Sequence, residues 1–118
     1  MEHHPTQQVK IEVLPGSREG IRVIKLGGPL TIHNFFDFQD LTRQQTPGPL
    51  LVDMTDVPYI DSAALGCLIG IHLSCEKSGR KYALVNVRDR IRSLFTVCGV
   101  DRFFVTHSSI AEAEAALA

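Results

Sequence analysis

The 118-residue sequence lacks an excess of charge of one sign, a long apolar run and a recognisable leader. Its net charge is −1, and the basic residues between Arg80 and Arg102 are interrupted by Asp89 and Asp101, so nothing indicates a nucleic-acid partner. No apolar stretch approaches the roughly 20 residues of a membrane span. The first eight residues lack the basic-then-apolar order of a signal peptide. We therefore expect a cytoplasmic protein without membrane insertion.

Cysteine is also scarce. Cys67, Cys75 and Cys98 are the only three, so they cannot all pair with one another, and none belongs to a CxxC motif. The histidines that could complete a metal site are scattered along the chain. We expect buried free thiols in a reducing compartment, and no metal.

The motifs of common enzymes are missing. Asp53, Asp56 and Asp61 lie close together, and such carboxylates can bind Mg²⁺ in phosphotransfer receivers. A receiver also needs acidic residues after its first strand and a lysine after a late one, and neither is evident. Gly27-Gly28 lacks the spacing of a phosphate-binding loop. The sequence thus predicts no catalytic residue and no cofactor.

What is present describes one globular domain. Apolar residues make up 44% and charged residues 21% of the chain, which is ordinary for a folded protein. A domain of this length buries roughly two-thirds of its unfolded surface. We expect residues 1–8 to be a disordered tail and residues 9–118 to form a single domain.

Hydrophobic periodicity and turn residues divide this domain into alternating elements. The predicted strands are residues 9–14, 21–26, 50–53, 82–87 and 103–105. The predicted helices are residues 34–45, 62–78, 89–98 and from 108 or 109 onwards, with N-caps at Asn34, at Asp61 or Ser62, and at Ser108 or Ser109, and stops at Gly79 and Gly99. A hairpin followed by helix-separated strands predicts an α/β fold with a mixed sheet of about five strands and about four helices.

The segment after strand 50–53 carries the most specific signal. Leu50-Leu51-Val52-Asp53 leads through a loop into Tyr59-Ile60-Asp61-Ser62-Ala63-Ala64-Leu65-Gly66. Later residues fit the same pattern, namely Val85-Asn86-Val87-Arg88, Ile91, Leu94, Phe95, Gly99-Val100 and Phe103-Phe104. Over about residues 9 to 117 the chain resembles the STAS family (sulphate transporter and anti-sigma factor antagonist). The resemblance implies a STAS-like fold.

The resemblance also implies a non-catalytic, bacterial binding module in signal transduction and transcription regulation. Its expected partner is an anti-sigma factor with a serine-kinase fold, which releases its sigma factor when captured. A homodimer is a further arrangement left open. The alternative function is a STAS scaffold subunit of a stressosome-like assembly or of a lipid or anion transport complex.

Two positions depart from the family pattern. In the antagonist members a partner kinase phosphorylates the second serine of the motif, and Ala63 occupies that place here. Regulation by phosphorylation is therefore either absent or moved to Ser62, which otherwise serves the start of the helix. Thr31 stands where the family often has Asp, so a negative charge expected near the motif is missing.

The helix predicted over residues 62–78 is apolar on two sides. One apolar arc contains Ala64, Cys67, Leu68, Ile71 and Cys75, and another contains Leu65, Ile69 and Leu73. Between them lies a strip of small residues, Ala63, Gly66, Gly70 and Ser74. A surface helix normally needs one apolar stripe, so either a partner meets the second side or the whole helix is buried.

We therefore expect the contact surface in the loop 54–60 and the helix 62–78. The predicted partner-binding residues are Pro58, Tyr59, Asp61, Ser62, Ala63, Ala64, Leu65, Gly66 and Gly70.

Overall fold

The computed structural model describes residues 9–18, 20–44 and 48–117, and in these ranges five strands form one sheet in the order β1-β2-β3-β4-β5. The strands are β1 Lys10–Pro15, β2 Arg22–Gly27, β3 Leu50–Asp56, β4 Tyr82–Val85 and β5 Thr106–His107. The helices are α1 Phe35–Arg43, α2 Ser62–Lys77, α3 Asp89–Val97 and α4 Ile110–Ala116, with a 3₁₀ turn at Asp101–Phe103.

Strand pairing follows the order of the elements. β1 and β2 are antiparallel, whereas the β2–β3, β3–β4 and β4–β5 pairs are parallel. A tight turn suffices for an antiparallel pair, but a parallel pair needs a crossover connection. The predicted mixed α/β sheet is confirmed.

Two apolar layers cover the sheet. The larger layer packs α1, α2 and α3 on one face, with Phe38, Leu68 and Phe95 fully buried or nearly so. The smaller layer packs α4 on the other face through Ala113. All four residues of β4 and the first three of β3 are buried, as expected for central strands covered on both faces.

The last predicted strand is misplaced. Residues 101–103 form a 3₁₀ turn, and β5 follows at Thr106–His107. The apolar character of residues 103–104 reflects packing of this turn, because the Phe104 ring lies 4.5 Å from the Phe95 ring. β3 is also longer than predicted, since it continues to Asp56.

The helix ends follow most of the predicted signals. Asp61 caps α2, and Ser109 caps α4 by accepting a hydrogen bond from the Glu112 N–H. Gly79 and Gly99 have φ values of +73° and +70°, which favour glycine after a helix. Asn34 precedes α1 without capping it. Its side-chain oxygen accepts a hydrogen bond from the Thr31 N–H, and its side-chain nitrogen donates to the Pro29 carbonyl.

Three expectations concern other parts of the chain. The predicted tail, residues 1–8, and the predicted helix end at Gln45 lie outside the described residues, and α1 ends at Arg43. The expectation of buried thiols is correct for Cys67 and Cys75 but wrong for Cys98, which is exposed. Cys98 follows the last turn of α3, on the outside of that short helix.

Candidate functional site

The predicted contact region lies where β3 leaves the sheet and α2 begins. The segment around residue 60 is fixed to the segment around residue 30 by a parallel bridge between Leu30 and Ile60. The Leu30 N–H donates to the Tyr59 carbonyl at 3.2 Å, and the Asp61 N–H donates to the Leu30 carbonyl at 3.3 Å. The start of α2 is therefore joined to the loop that precedes α1.

Asp61 completes this junction with its carboxylate. One oxygen, Oδ1, accepts from the Ala64 N–H at 2.9 Å and caps α2, while Oδ2 accepts from the Ile32 N–H at 2.9 Å. Partial desolvation acts to raise the pKa of Asp61, but these hydrogen bonds, with smaller ones in the first turn, hold it below its ordinary value. Asp61 is therefore a charged residue whose hydrogen bonds join the start of α2 to the loop before α1.

The two residues after Asp61 differ in exposure. Ser62 is exposed, and its hydroxyl has no hydrogen-bond partner within residues 9–18, 20–44 and 48–117. Because Asp61 is the cap, Ser62 stands in the first turn with its hydroxyl accessible. Ala63, where the sequence resemblance leads us to expect the phosphoacceptor position, is partly buried.

α2 packs on the sheet with the first apolar arc identified in the sequence. All five of its residues, Ala64, Cys67, Leu68, Ile71 and Cys75, are buried. The second arc becomes progressively exposed along the helix, from Leu65, which is buried, to Leu73, which is 51% exposed. The helix therefore has one buried side and one side that is only partly covered.

Gly66 and Gly70 lie on the uncovered side of α2 and are exposed. Among the described residues, a Cβ placed on either glycine would meet no atom within 4 Å beyond its two chain neighbours and the backbone of its own helix. Glycine inside a helix costs about 1 kcal/mol relative to alanine. Nothing in the described part of the chain requires glycine at these two positions.

The loop before α2 is supported from α3 and from the strand ends. The Arg90 guanidinium lies 5.2 Å from the centre of the Tyr59 ring, a distance suited to a cation–π contact. Arg88 Nε donates to the Thr55 carbonyl, and the Asn86 side chain donates to the Thr55 hydroxyl, both at 2.9 Å. The loop is consequently held in place.

The structure separates the predicted partner-binding residues into two groups. Ser62, Gly66 and Gly70 are exposed, and Pro58, Tyr59, Asp61 and Ala63 are partly exposed. Ala64 and Leu65 are buried, at 0% and 7% exposure, and their side chains belong to the larger apolar layer. A direct contact by those two side chains is not available in this conformation.

Sequence reasoning missed two apolar residues near this site. Ile32, whose N–H donates to the Asp61 carboxylate, is 52% exposed, and Phe36, in the first turn of α1, is 58% exposed. The helical phase could have found Phe36, because it lies about 160° around the helix from the buried Phe38. We call Ile32, Pro58, Tyr59, Ser62, Gly66, Gly70 and Leu73 the docking surface.

The acidic residues and thiols of this region are already engaged or buried. Asp53 accepts from both the N–H and the hydroxyl of Thr55, and Asp56 lies 3.9 Å from Lys25. In the part of the chain that the structure describes, no three His, Cys, Asp or Glu side chains converge as metal ligands would. Burial raises the pKa of Cys67 to about 11, so this thiol is protonated at neutral pH.

Comparison with known proteins identifies the family. The model of the STAS domain matches residues 15–113, and the chain belongs to this family. The Anti-sigma-B factor antagonist of Staphylococcus aureus (strain NCTC 8325 / PS 47) is 26% identical over 80 residues, covering 65% of this chain and 74% of the relative. None of the helices in the described ranges is long and apolar enough to cross a membrane.

Solved structures share the fold at low identity. TM1081 of Thermotoga maritima has a TM-score of 0.79 at 21% identity, covering 89% of this chain and 92% of that one. The phosphorylated form of the Bacillus cell fate determinant SpoIIAA has a TM-score of 0.69 at 16% identity, covering 92% and 100%. Murine Slc26a9, an anion transporter, matches with a TM-score of 0.73 at 18% identity, where the chain covers 22% of the transporter.

Proposed function

We propose that this chain is a non-catalytic binding module in the cytoplasm that captures an anti-sigma factor of the serine-kinase type through the docking surface. Membership of the STAS family and the curated relatives named anti-sigma-B factor antagonist support this assignment. The bound anti-sigma factor releases its sigma factor, so the chain acts on transcription by binding alone.

The observation that carries the proposal is the pair of exposed glycines on α2. Gly66 and Gly70 have open space around them, so the part of the chain that the structure describes gives no reason for glycine at either position. Because glycine has no side chain, this side of α2 presents bare backbone at one position in each of two successive turns. The backbone of another protein can approach closely there. Ile32 and Leu73 supply exposed apolar surface near the two ends of this strip, as the core of a protein interface requires.

Control by phosphorylation differs from the family pattern in this proposal. Ala63 has no hydroxyl, so the usual acceptor position cannot be modified, and we propose that the binding-competent form is permanent. Ser62 is the second candidate, because its hydroxyl is exposed and has no partner in the described ranges. A phosphate there gains from the helix N-terminus but faces the neighbouring Asp61 carboxylate.

A second candidate function is a scaffold subunit of a stressosome-like assembly or of a lipid or anion transport complex. Ala63 favours this candidate, since a scaffold needs no phosphoacceptor. The shared fold of the anion transporter Slc26a9 is compatible with it. The docking surface serves the same purpose in either case, and only the identity of the partner differs.

The proposal is tested by capture followed by substitution. Affinity purification from the native cell with the full chain identifies the bound protein, and the affinity of the purified pair is then measured by calorimetry. Gly66→Arg and Gly70→Arg fill the strip with a long cation and should abolish binding, while Ala115→Arg, on the exposed side of α4 across the sheet, should not.

The melting temperature of Ala115→Arg should stay close to that of the wild type, because the site is exposed. Those of Gly66→Arg and Gly70→Arg should be no lower than that of the wild type, because arginine is a better helix former than glycine. Normal binding by both glycine variants would contradict the proposal. Capture of assembly or transporter subunits in place of an anti-sigma factor would select the second candidate.

Incubation with the captured kinase and ATP, followed by intact-mass measurement, tests the phosphorylation proposal. The permanent form predicts no added phosphoryl group, and a Ser62→Ala variant should behave like the wild type. A phosphoryl group mapped to Ser62, and lost in that variant, would replace the permanent form with regulation at the new position.

A further inference from the structure

β1 is an edge of the sheet, and within the described residues no strand pairs with its outer side. The Gly16 N–H donates to the Ile21 carbonyl, and the Arg22 N–H donates to the Pro49 carbonyl beside β3. Given the register of Lys10 opposite Gly27, the even-numbered residues of β1 therefore bond β2. The N–H and C=O groups of Ile11 and Val13 point to the free edge.

The side chains of β1 divide between the two faces of the sheet. Ile11 and Val13 lie opposite Leu26 and Ile24, on the face that carries α1 and α2, and Val13 is 44% exposed. Lys10 and Glu12 lie on the other face and are exposed. A free strand edge with an apolar row beside it is a template for pairing with another strand.

The charges of β1 are complementary to a second copy of the same strand. In an antiparallel pair across a two-fold axis, the outward-pointing odd residues must face one another. Placing Ile11 opposite Ile11 of the second copy brings Lys10 opposite Glu12 of that copy, twice. The apolar row then continues, because Val9 faces Val13 in both directions.

The other registers within β1 are worse. If the two-fold axis lies at residue 10, Lys10 stands opposite Lys10 of the second copy. If the axis lies at residue 12, Glu12 stands opposite Glu12 of that copy. Like charges directly opposite destabilise a strand pair. An axis at residue 13 puts Ile11 opposite Pro15, which has no N–H to donate. One register alone combines opposite charges with a full ladder.

We propose that two copies of this chain associate through β1, antiparallel, with Ile11 at the two-fold axis. The dimer is a continuous sheet in which α1 and α2 of both copies lie on the same face. Both docking surfaces are then displayed on one side of the assembly. The proposal does not depend on which protein the docking surface binds.

The register is tested by exchanging charges in the full chain. Lys10→Glu places a carboxylate opposite Glu12 of the second copy, and Glu12→Lys places an ammonium group opposite Lys10 of that copy. Each variant alone should dimerise about tenfold or more weakly than the wild type in sedimentation. An equimolar mixture of the two restores both opposite-charge pairs and should recover the dimer. A reducing agent is needed, since Cys98 is exposed.

Glu12 also lies opposite Lys25 within the chain, so a charge change at residue 12 acts on the β1–β2 pair as well. Circular dichroism therefore has to establish that the charge variants are folded. Val13→Pro is an independent variant, as it removes an outward N–H that β2 does not use, and it should also yield monomers. A wild type that stays monomeric up to about 1 mM would overturn the proposal. So would a dimer that these variants leave unchanged, or a mixture that shows no recovery.

Discussion

Asp61 shows at the scale of one residue how a family motif serves the fold. Its carboxylate caps α2 and also holds the Ile32 N–H. We expect Asp61→Ala to lower the free energy of unfolding by about 1–2 kcal/mol, measured by urea denaturation. Asp61→Asn should lose less, because an amide oxygen still accepts one bond. Asp40→Ala, at an exposed site on α1, is the control and should change little.

The same carboxylate gives a pH dependence. Its pKa in the folded chain lies below the ordinary value of 3.8, so the stability it contributes is complete above about pH 4 and is lost as pH falls. The stability difference between wild type and Asp61→Asn should therefore shrink as the pH falls below about 4. A difference that stays constant over this range would contradict the assigned charge.

Within α2, the question is whether the fold itself requires the exposed glycines. Substituting alanine for Gly66, and for Gly16 in its crowded surroundings, answers it. A Cβ on Gly16 would lie 2.5 Å from Ile21 Cγ2, whereas one on Gly66 would meet nothing within 4 Å outside its own helix in the described ranges. Gly16→Ala should lower the free energy of unfolding by about 1–3 kcal/mol through overpacking. Gly66→Ala should raise it by about 0.5–1 kcal/mol. A loss of stability in Gly66→Ala would mean that the fold itself requires the glycine.

Elements with a local signal are predictable from the sequence. The caps of α2 and α4 and the glycines that follow α2 and α3 are where the residue types place them, because a cap depends on a few neighbouring residues. Phe103-Phe104 misled the prediction of the last strand, since an apolar pair has no period that separates a strand from a packed turn. The bond between Asp61 and Ile32 joins residues 29 apart and has no local signature.

Over the whole molecule, hydrogen bonds to Glu114 connect the turn of the first hairpin to the last helix. The hydroxyl and the N–H of Ser17 both bond its carboxylate, and the Arg18 guanidinium bonds its carbonyl. The bonds from Ser17 lower the pKa of Glu114. We expect Glu114→Gln to reduce the free energy of unfolding by about 1–3 kcal/mol at neutral pH, with the loss fading in acid. Glu76→Gln, at an exposed site, should have little effect.

The architecture of the whole chain was more predictable than its surface. The order of hairpin, helices and parallel strands follows from periodicity and connection lengths, and it is confirmed. The exposure of Ile32, Phe36 and Leu73 depends on how far neighbouring elements cover them. Such coverage is a tertiary property that apolar residue type alone does not reveal.

We propose that the exposed side of α2 and the adjoining loop bind another protein. Hydrogen exchange of the full chain, measured with and without the captured partner, is the decisive experiment. Exchange should slow in residues 57–74 and stay unchanged in α4. Protection confined to α4, or no protection in residues 57–74 when the partner is bound, would contradict this proposal.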